Sequence, residues 1–461
     1  MKLLKSPAWG CFALALLIRL VVVVWAAGRF PPAADGSFYQ VVAERIASAQ
    51  GYTWAWPDGT VTYAAHYPVG YPALVGALYW LFGPRPWVAM VFNAVLGAGA
   101  AWAGARLLLE SGSQRGAWLG GVALACHPSL VFYTPALMTE GVVASGILLL
   151  AGLARTRLGR RRAWGAIALG VFLGVLTLVR PQVIVLAPLY GLLASRARGW
   201  RRLIAGAVVG ISALCVTLPW TARNCEKMDR CVWVSANGGW NLLIGSGEKA
   251  TGAWLSVEDV GFPVECREVW AEAAKDACFG AAARRRILEH PLGWLRLIPA
   301  KLSHTFDYGD APGWYLHTAN AQAFPQRARE ALFVWELLWL RATILLLLFG
   351  LVVRAPRDRF QRLRWGLGLL AAPFLFLKWL WPAHLAILLL MALWPRQIPA
   401  LRVGIWVLGS TVAIHAVFFG ATRYGLVATP ALVVAAIGVL TVRLRGGDTG
   451  GEENLDAAHR N

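Results

Sequence analysis

Residues 11–27 read CFALALLIRLVVVVWAA, with Arg19 as the one charge. A run this apolar is unstable on a water-exposed surface. It approaches the length of about 20 residues that a helix needs to cross bilayer hydrocarbon, about 17 being workable. Similar runs recur at 8–27, 87–109, 117–133, 139–154, 163–179, 183–194, 203–221, 331–353, 365–377, 383–394, 401–419 and 424–442, about twelve candidate spans by hydropathy. With 58% hydrophobic and 15% charged residues, the chain falls outside the class of ordinary soluble domains. The expected fold is an all-α polytopic membrane protein.

The net charge of +20 follows from the same layout. Basic clusters at 155–162, 196–202, 354–364, 395–402 and 443–445 occupy alternate connections, on the side of Lys2 and Lys5. The positive-inside rule makes that side cytoplasmic, so the charge reports topology, with attraction to anionic headgroups secondary, and no nucleic-acid partner is expected. This register requires that 70–83, GYPALVGALYWLFG, does not cross. It is short, holds Pro72 and is dotted with Tyr and Trp, which suits an interfacial helix. The first external loop then runs from 28 to 86. The basic, apolar N-terminus lacks a convincing small-residue cleavage site and reads as a retained span. The expected setting is the plasma (inner) membrane, with both termini cytoplasmic.

Four regions follow: a transmembrane module over 1–222, an extracytoplasmic, partly helical cap over 223–330, further spans over 331–445, and a polar, disordered cytoplasmic tail over 446–461. The cap holds Cys225, Cys231, Cys266 and Cys278. On an oxidising face these allow three pairings, and Cys225 with Cys231 and Cys266 with Cys278 close the shortest loops. Cys11, Cys126 and Cys215 lie in apolar runs and read as packing residues.

Polar residues on the non-cytoplasmic side are the candidates for chemistry. Asp35 heads a helical GSFYQVVAERIAS and fits an N-cap accepting from Ser37 or Phe38. It shares its face with Glu140, however, in the turn YTPALMTEG, where a carboxylate faces a cavity, a partner or a helix dipole. His66 and Tyr67 close the first loop. Arg180, in LVRPQV, either snorkels or neutralises a phosphate. Arg223 ends another span, and Asn237, Trp240 and Asn241 form a turn with the residue types of a sugar-binding loop. Arg19, Glu336 and Arg341 lie inside spans, where mutual or backbone pairing is the expected explanation. HExxH, paired CxxC, Walker A and GxSxG patterns are lacking, which removes metalloprotease, redox, NTPase and serine-hydrolase readings.

PPAADGSFY, AERIASAQGYTW, HYPVGYPALVGALYWLFG, PALMTEG, LVRP, PWTARN and NGGWNLLIG, spread over about the first 250 residues, together resemble the GT-C superfamily of integral-membrane glycosyltransferases. The likeness is to the protein O-mannosyltransferases and the lipid A aminoarabinose transferase. It implies a polyprenyl-phosphate sugar donor entering from the bilayer and transfer on the extracytoplasmic face. It also implies Asp35 as the catalytic carboxylate and Glu140 as the second acidic position. The donor phosphate falls to His66, Arg180 and Arg223, and substrate contacts to Tyr39, Tyr67, Asn237, Trp240 and Asn241. Such relatives often carry an acidic pair where this chain has Asp35-Gly36, and the aminoarabinose transferase type has Lys-Pro-Pro where this chain has His66-Tyr67-Pro68. A sugar phosphate already has a fair leaving group, so one base and phosphate-holding cations suffice, with inversion. A divalent ion shared by Asp35 and Glu140 fits the residue types. The acceptor is a lipid, glycan or protein hydroxyl. The competing class is a transporter or flippase, which tends to show internal repeats and midplane polar sites; neither stands out here.

Overall fold

The computed structural model describes residues 6–442 except 161, 196–198, 229, 308, 356–357 and 396. The polar tail, the basic cluster at 443–445, Lys2 and Lys5 lie outside the described residues.

Helices occupy the apolar runs, and five are long and apolar enough to cross a membrane: Pro7–Ala26, Pro86–Glu110, Arg201–Lys227, Gln326–Val353 and Pro399–Val417. The other candidate spans form shorter helices. Leu17, Val21 and Val24 on the first helix are exposed, as a lipid-facing surface requires. At the centre stands Pro86–Glu110, whose buried Ala94, Gly97, Ala98, Ala101 and Ala105 bring neighbouring helices close. A Cβ on Gly97 would meet Arg19 Nε at 2.4 Å, so this glycine makes room for a buried guanidinium.

Four expected spans are interrupted, and proline explains each break. The run 117–133 divides into Gln114–Ala125 and Pro128–Phe132. Arg19 donates to the carbonyls of Leu124 (3.2 Å) and Ala125 (3.2 Å), the last of the helix, which otherwise lack partners in hydrocarbon. The run 183–194 opens with a 3-10 stretch, Pro181–Leu186, before Ala187–Ala194. The run 365–377 passes from Gln361–Ala371 into 3-10 geometry at Ala372–Leu375, around Pro373. The run 424–442 becomes a single turn, Thr422–Gly425, followed by Thr429–Thr441, with Pro430 in its first turn. Glu336 and Arg341 go to backbone, as expected: Glu336 accepts from Asp310 N–H (3.0 Å), and Arg341 donates to the Leu377 carbonyl (2.8 Å).

In the first loop, Asp35–Ala47 lies against the short helix Gly70–Phe82, which exposes Trp80, Leu81 and Phe82 at its end. Gly76 permits this approach, since a Cβ there would press on Ile46 and the Ala43 carbonyl. The all-α expectation needs one correction. Residues 53–55 and 61–63 form an antiparallel hairpin, with Thr53 opposite Tyr63 and Ala55 opposite Val61. The alternation Trp54-Ala55-Trp56 and Val61-Thr62-Tyr63 around Pro57-Asp58-Gly59 is a hairpin signal.

The cap is more ordered than its sequence pattern suggests. It contains Gly238–Ile244, Val257–Gly261, Glu272–Glu289, Pro291–Arg296, Ile298–Phe306 and Ala311–Ala319. Leu243, Ile244, Val260, Phe279 and Ala283 share a small core with Phe419 and Tyr424 from the far end of the chain. Disulfides join Cys225 to Cys231 and Cys266 to Cys278, the second tying the helix Glu272–Glu289 to the segment before it.

Candidate active site

The helix containing Asp35 starts at that residue, and Ala34 before it takes φ 51°. Ser37 N–H bonds to the Ala34 carbonyl (3.0 Å), so Asp35 is not spent on capping. Its two oxygens face side chains instead. Oδ1 accepts from the Tyr67 hydroxyl at 2.9 Å, and Oδ2 pairs with Arg423 Nη1 at 2.7 Å. Burial, together with Asp35 itself, pushes the Tyr67 phenol up, which keeps it a donor.

Glu140 sits in the first turn of Thr139–Ala154 with a side chain only 1% exposed. Oε1 takes Arg180 Nη2 at 2.5 Å and lies 3.4 Å from Arg423 Nε, while Oε2 accepts from Tyr133 (2.8 Å). Arg180, at the proline break ending the helix Arg162–Val179, also donates to Thr139 Oγ1 (3.0 Å). The order of charge is therefore Asp35, Arg423, Glu140, Arg180: two carboxylates and two guanidiniums. Sharing Glu140 between both cations holds them together against their repulsion in a weakly solvated site.

The ring of Tyr424 orders the two cations further. Arg180 lies 5.0 Å and Arg423 5.3 Å from its centroid, and His415 stacks on it at 4.5 Å. Beside Arg180 and Tyr424 is a cavity of about 30 Å³, walled mainly by apolar residues such as Ile147, Leu186, Val407 and Ile414. The cluster thus faces an apolar hollow on one flank, and Asp35 keeps 24% of its side-chain surface open. Arg423 also stands between the two carboxylates, where the sequence leaves room for a divalent ion.

Other expected site residues are placed differently. Arg223 Nη1 donates to the Ala64 carbonyl (2.9 Å) and Nη2 to that of Tyr52 (2.9 Å), with Trp220 stacked 4.6 Å away. Its donors fasten the first loop, which counts against Arg223 as a phosphate ligand. His66 packs edge-on against Tyr67 (4.8 Å) and Trp240 (5.4 Å) under the cap, and burial lowers its pKa below 6.5. Disfavouring the charged imidazole makes it a weaker anion holder, which counts against His66 as a phosphate ligand. Tyr39 is buried and backs Tyr67 (5.3 Å) and Tyr71 (5.6 Å). Asn237 precedes the helix Gly238–Ile244, where its Oδ1 accepts from Ser235, and the Asn241 N–H bonds to the Asn237 carbonyl (3.0 Å). Trp240 N–H bonds to Asp276 (2.8 Å). These three belong to the seat of the cap.

Arg423 is the residue that sequence reasoning missed. It sits 388 positions from Asp35, in the short connection between the candidate spans 401–419 and 424–442. One signal was present: a charge beside tyrosine in FFGATRYGLVATP, at the end of an apolar run.

No family model and no curated protein matches the sequence. Among solved structures the chain is similar to the apo oligosaccharyltransferase of Archaeoglobus fulgidus, at 13% identity and a TM-score of 0.46, covering 94% of this chain and 50% of that one. It is also similar to ArnT from Cupriavidus metallidurans bound to undecaprenyl phosphate, at 18% identity and a TM-score of 0.40, covering 94% of this chain and 78% of that one. The chain spans half the length of the archaeal enzyme.

Proposed function

We propose that the protein is a membrane glycosyltransferase that moves a sugar from a polyprenyl-phosphate donor to an acceptor hydroxyl on the extracytoplasmic face. The observation that carries this reading is the paired cluster itself. A single partly open carboxylate, Asp35, pairs with Arg423, which shares Glu140 with Arg180, and Arg180 borders an apolar hollow. That combination suits an amphiphilic substrate whose head is a phosphate and whose tail is hydrocarbon.

In this reading Arg423 and Arg180 hold the donor phosphate, with Glu140 and Tyr424 fixing their directions. Asp35 takes the proton from the acceptor hydroxyl as its oxygen bonds to the anomeric carbon. The bond between that carbon and the phosphate oxygen breaks, and the polyprenyl phosphate leaves with its electron pair. The negative charge gathering on the leaving phosphate faces two preorganised cations, which stabilise the transition state more than the ground state. A single displacement inverts the anomeric carbon. The ArnT structure carries undecaprenyl phosphate, a ligand of the chemistry this cluster suits.

The test is to supply purified protein in bilayers with a radiolabelled polyprenyl-phosphate sugar and a mixture of lipid, glycan and peptide hydroxyl acceptors. Labelled product with inverted configuration, lost in Asp35→Asn, is the expected result. Movement of intact donor between leaflets without transfer would instead make the protein a flippase.

A further inference from the structure

Tyr67 is one of the two groups that hold Asp35, and the backbone leading into it is fastened from outside the membrane module. Arg223 binds the Ala64 carbonyl (2.9 Å), and Ala236 N–H binds the Ala65 carbonyl (2.7 Å). Tyr52 donates its hydroxyl to the Tyr67 carbonyl (2.8 Å). Between these points Ala65 N–H donates to the carboxylate of Glu272 at 2.5 Å. One turn further along the same cap helix, Asp276 takes Trp240 N–H, and Trp240 packs on His66. The helix Glu272–Glu289 therefore grips both sides of the strap 64–67, and the Cys266–Cys278 disulfide anchors that helix.

We infer that Glu272 is a positioning residue of the active site: by holding the Ala65 amide it sets the strap that carries Tyr67, and through the Tyr67 hydroxyl it aims the carboxylate of Asp35. This inference rests on Asp35 being the base. Without Glu272 the buried Ala65 amide loses its acceptor, and the strap must shift to regain one. Tyr67 moves with it and Oδ1 of Asp35 loses its donor, so the carboxylate is no longer held in one orientation, while Oδ2 keeps its pairing with Arg423. A displacement of about 1 Å at a reacting group lowers turnover by about 100-fold. Binding of the donor phosphate, held by Arg180 and Arg423, is left as it was.

The experiment compares Glu272→Ala, Glu272→Gln, Tyr67→Phe and the double variant Glu272→Ala/Tyr67→Phe in the full-length protein. Glu272→Ala is expected to lower kcat by about 30- to 100-fold with an unchanged donor KM. Glu272→Gln, which keeps an acceptor oxygen, recovers most of that loss. The double variant is no slower than Tyr67→Phe alone, because both changes remove the same contact. Additive losses, or wild-type kcat in Glu272→Ala, would overturn the assignment. Hydrogen exchange reads the linkage independently of turnover. Glu272→Ala is expected to speed exchange in 64–68 and also in 33–39; unaltered exchange in 33–39 overturns the linkage even where Asp35→Asn is inactive. If Asp35→Asn is active while exchange rises in both segments, the mechanical linkage stands and the proposed role of Asp35 falls.

Discussion

Replacing Glu140 by Gln removes one charge from the middle of the cluster while keeping an acceptor of nearly the same shape. In the wild type this carboxylate is 1% exposed and serves Arg180, Arg423 and Tyr133. Withdrawing one partner from a buried ion pair costs about 3–5 kcal/mol, and the amide oxygen retained by Gln argues for about 3. With an unfolding entropy of about 2.1 cal/mol/K per residue, a chain of this size has about 1 kcal/mol/K in total, so Tm should fall by about 3 °C. The functional effect should be larger. Two guanidiniums no longer share a counter-charge, so they separate and cease to point at one phosphate. Loss of one preorganised donor lowers kcat by about 100-fold or more, and the same scale is expected here. The assay is turnover of a polyprenyl-phosphate sugar beside thermal unfolding in the same bilayer preparation. Wild-type turnover together with an unshifted Tm would refute the argument that Glu140 organises the two cations.

Asp35→Asn should abolish transfer yet leave folding and membrane insertion intact, as product formation and size-exclusion profiles would report; near-normal turnover would remove Asp35 from the mechanism. Arg223→Met should loosen the first loop, read as faster proteolysis between Tyr52 and His66, with donor KM unchanged; a raised KM in a stable protein would return Arg223 to the phosphate site. Replacing Cys266 and Cys278 by Ser opens a 12-residue separation, for which chain entropy gives about 3 kcal/mol of lost stability, measurable as earlier unfolding of the cap. His66 provides a pH test. Burial holds its folded pKa below 6.5, so as pH falls through that value the unfolded chain takes up a proton first and folding stability drops. The His66→Gln variant should flatten the part of the stability loss that the wild type shows between pH 7 and lower values; an unchanged slope would mean that His66 is not the group responsible.

The helical runs, the first-loop acid and its companion Glu140 were legible because each is written locally, as apolar length or as a carboxylate at the end of a span. The two cysteine pairings were legible as the shortest loops. The turn at Pro181 was legible, whereas the breaks at Pro128, Pro373 and Pro430 had their residues in plain view, but hydropathy averages over a proline, and those runs looked continuous. Arg223 and Arg180 looked alike in sequence, as cations at span ends. What separates them is tertiary: Arg223 meets the open carbonyls of Tyr52 and Ala64, whereas Arg180 meets Glu140. Arg423 was hidden for the same reason, since its partners come from the first loop and from Thr139–Ala154, far away along the chain. Periodicity reports which face of a helix is apolar, and it carries no information about which distant charge will meet it.

Whether the site joins a base to two phosphate-holding cations is tested most directly by a structure of the protein with a bound polyprenyl phosphate. The phosphate is expected within hydrogen-bonding distance of both Arg180 and Arg423, with its tail in a widened cavity beside Ile147 and Val407 and Asp35 across the space that the sugar would fill from the phosphate's terminal oxygens. A phosphate seated away from both arginines, with Asp35 still paired to Arg423, would contradict it.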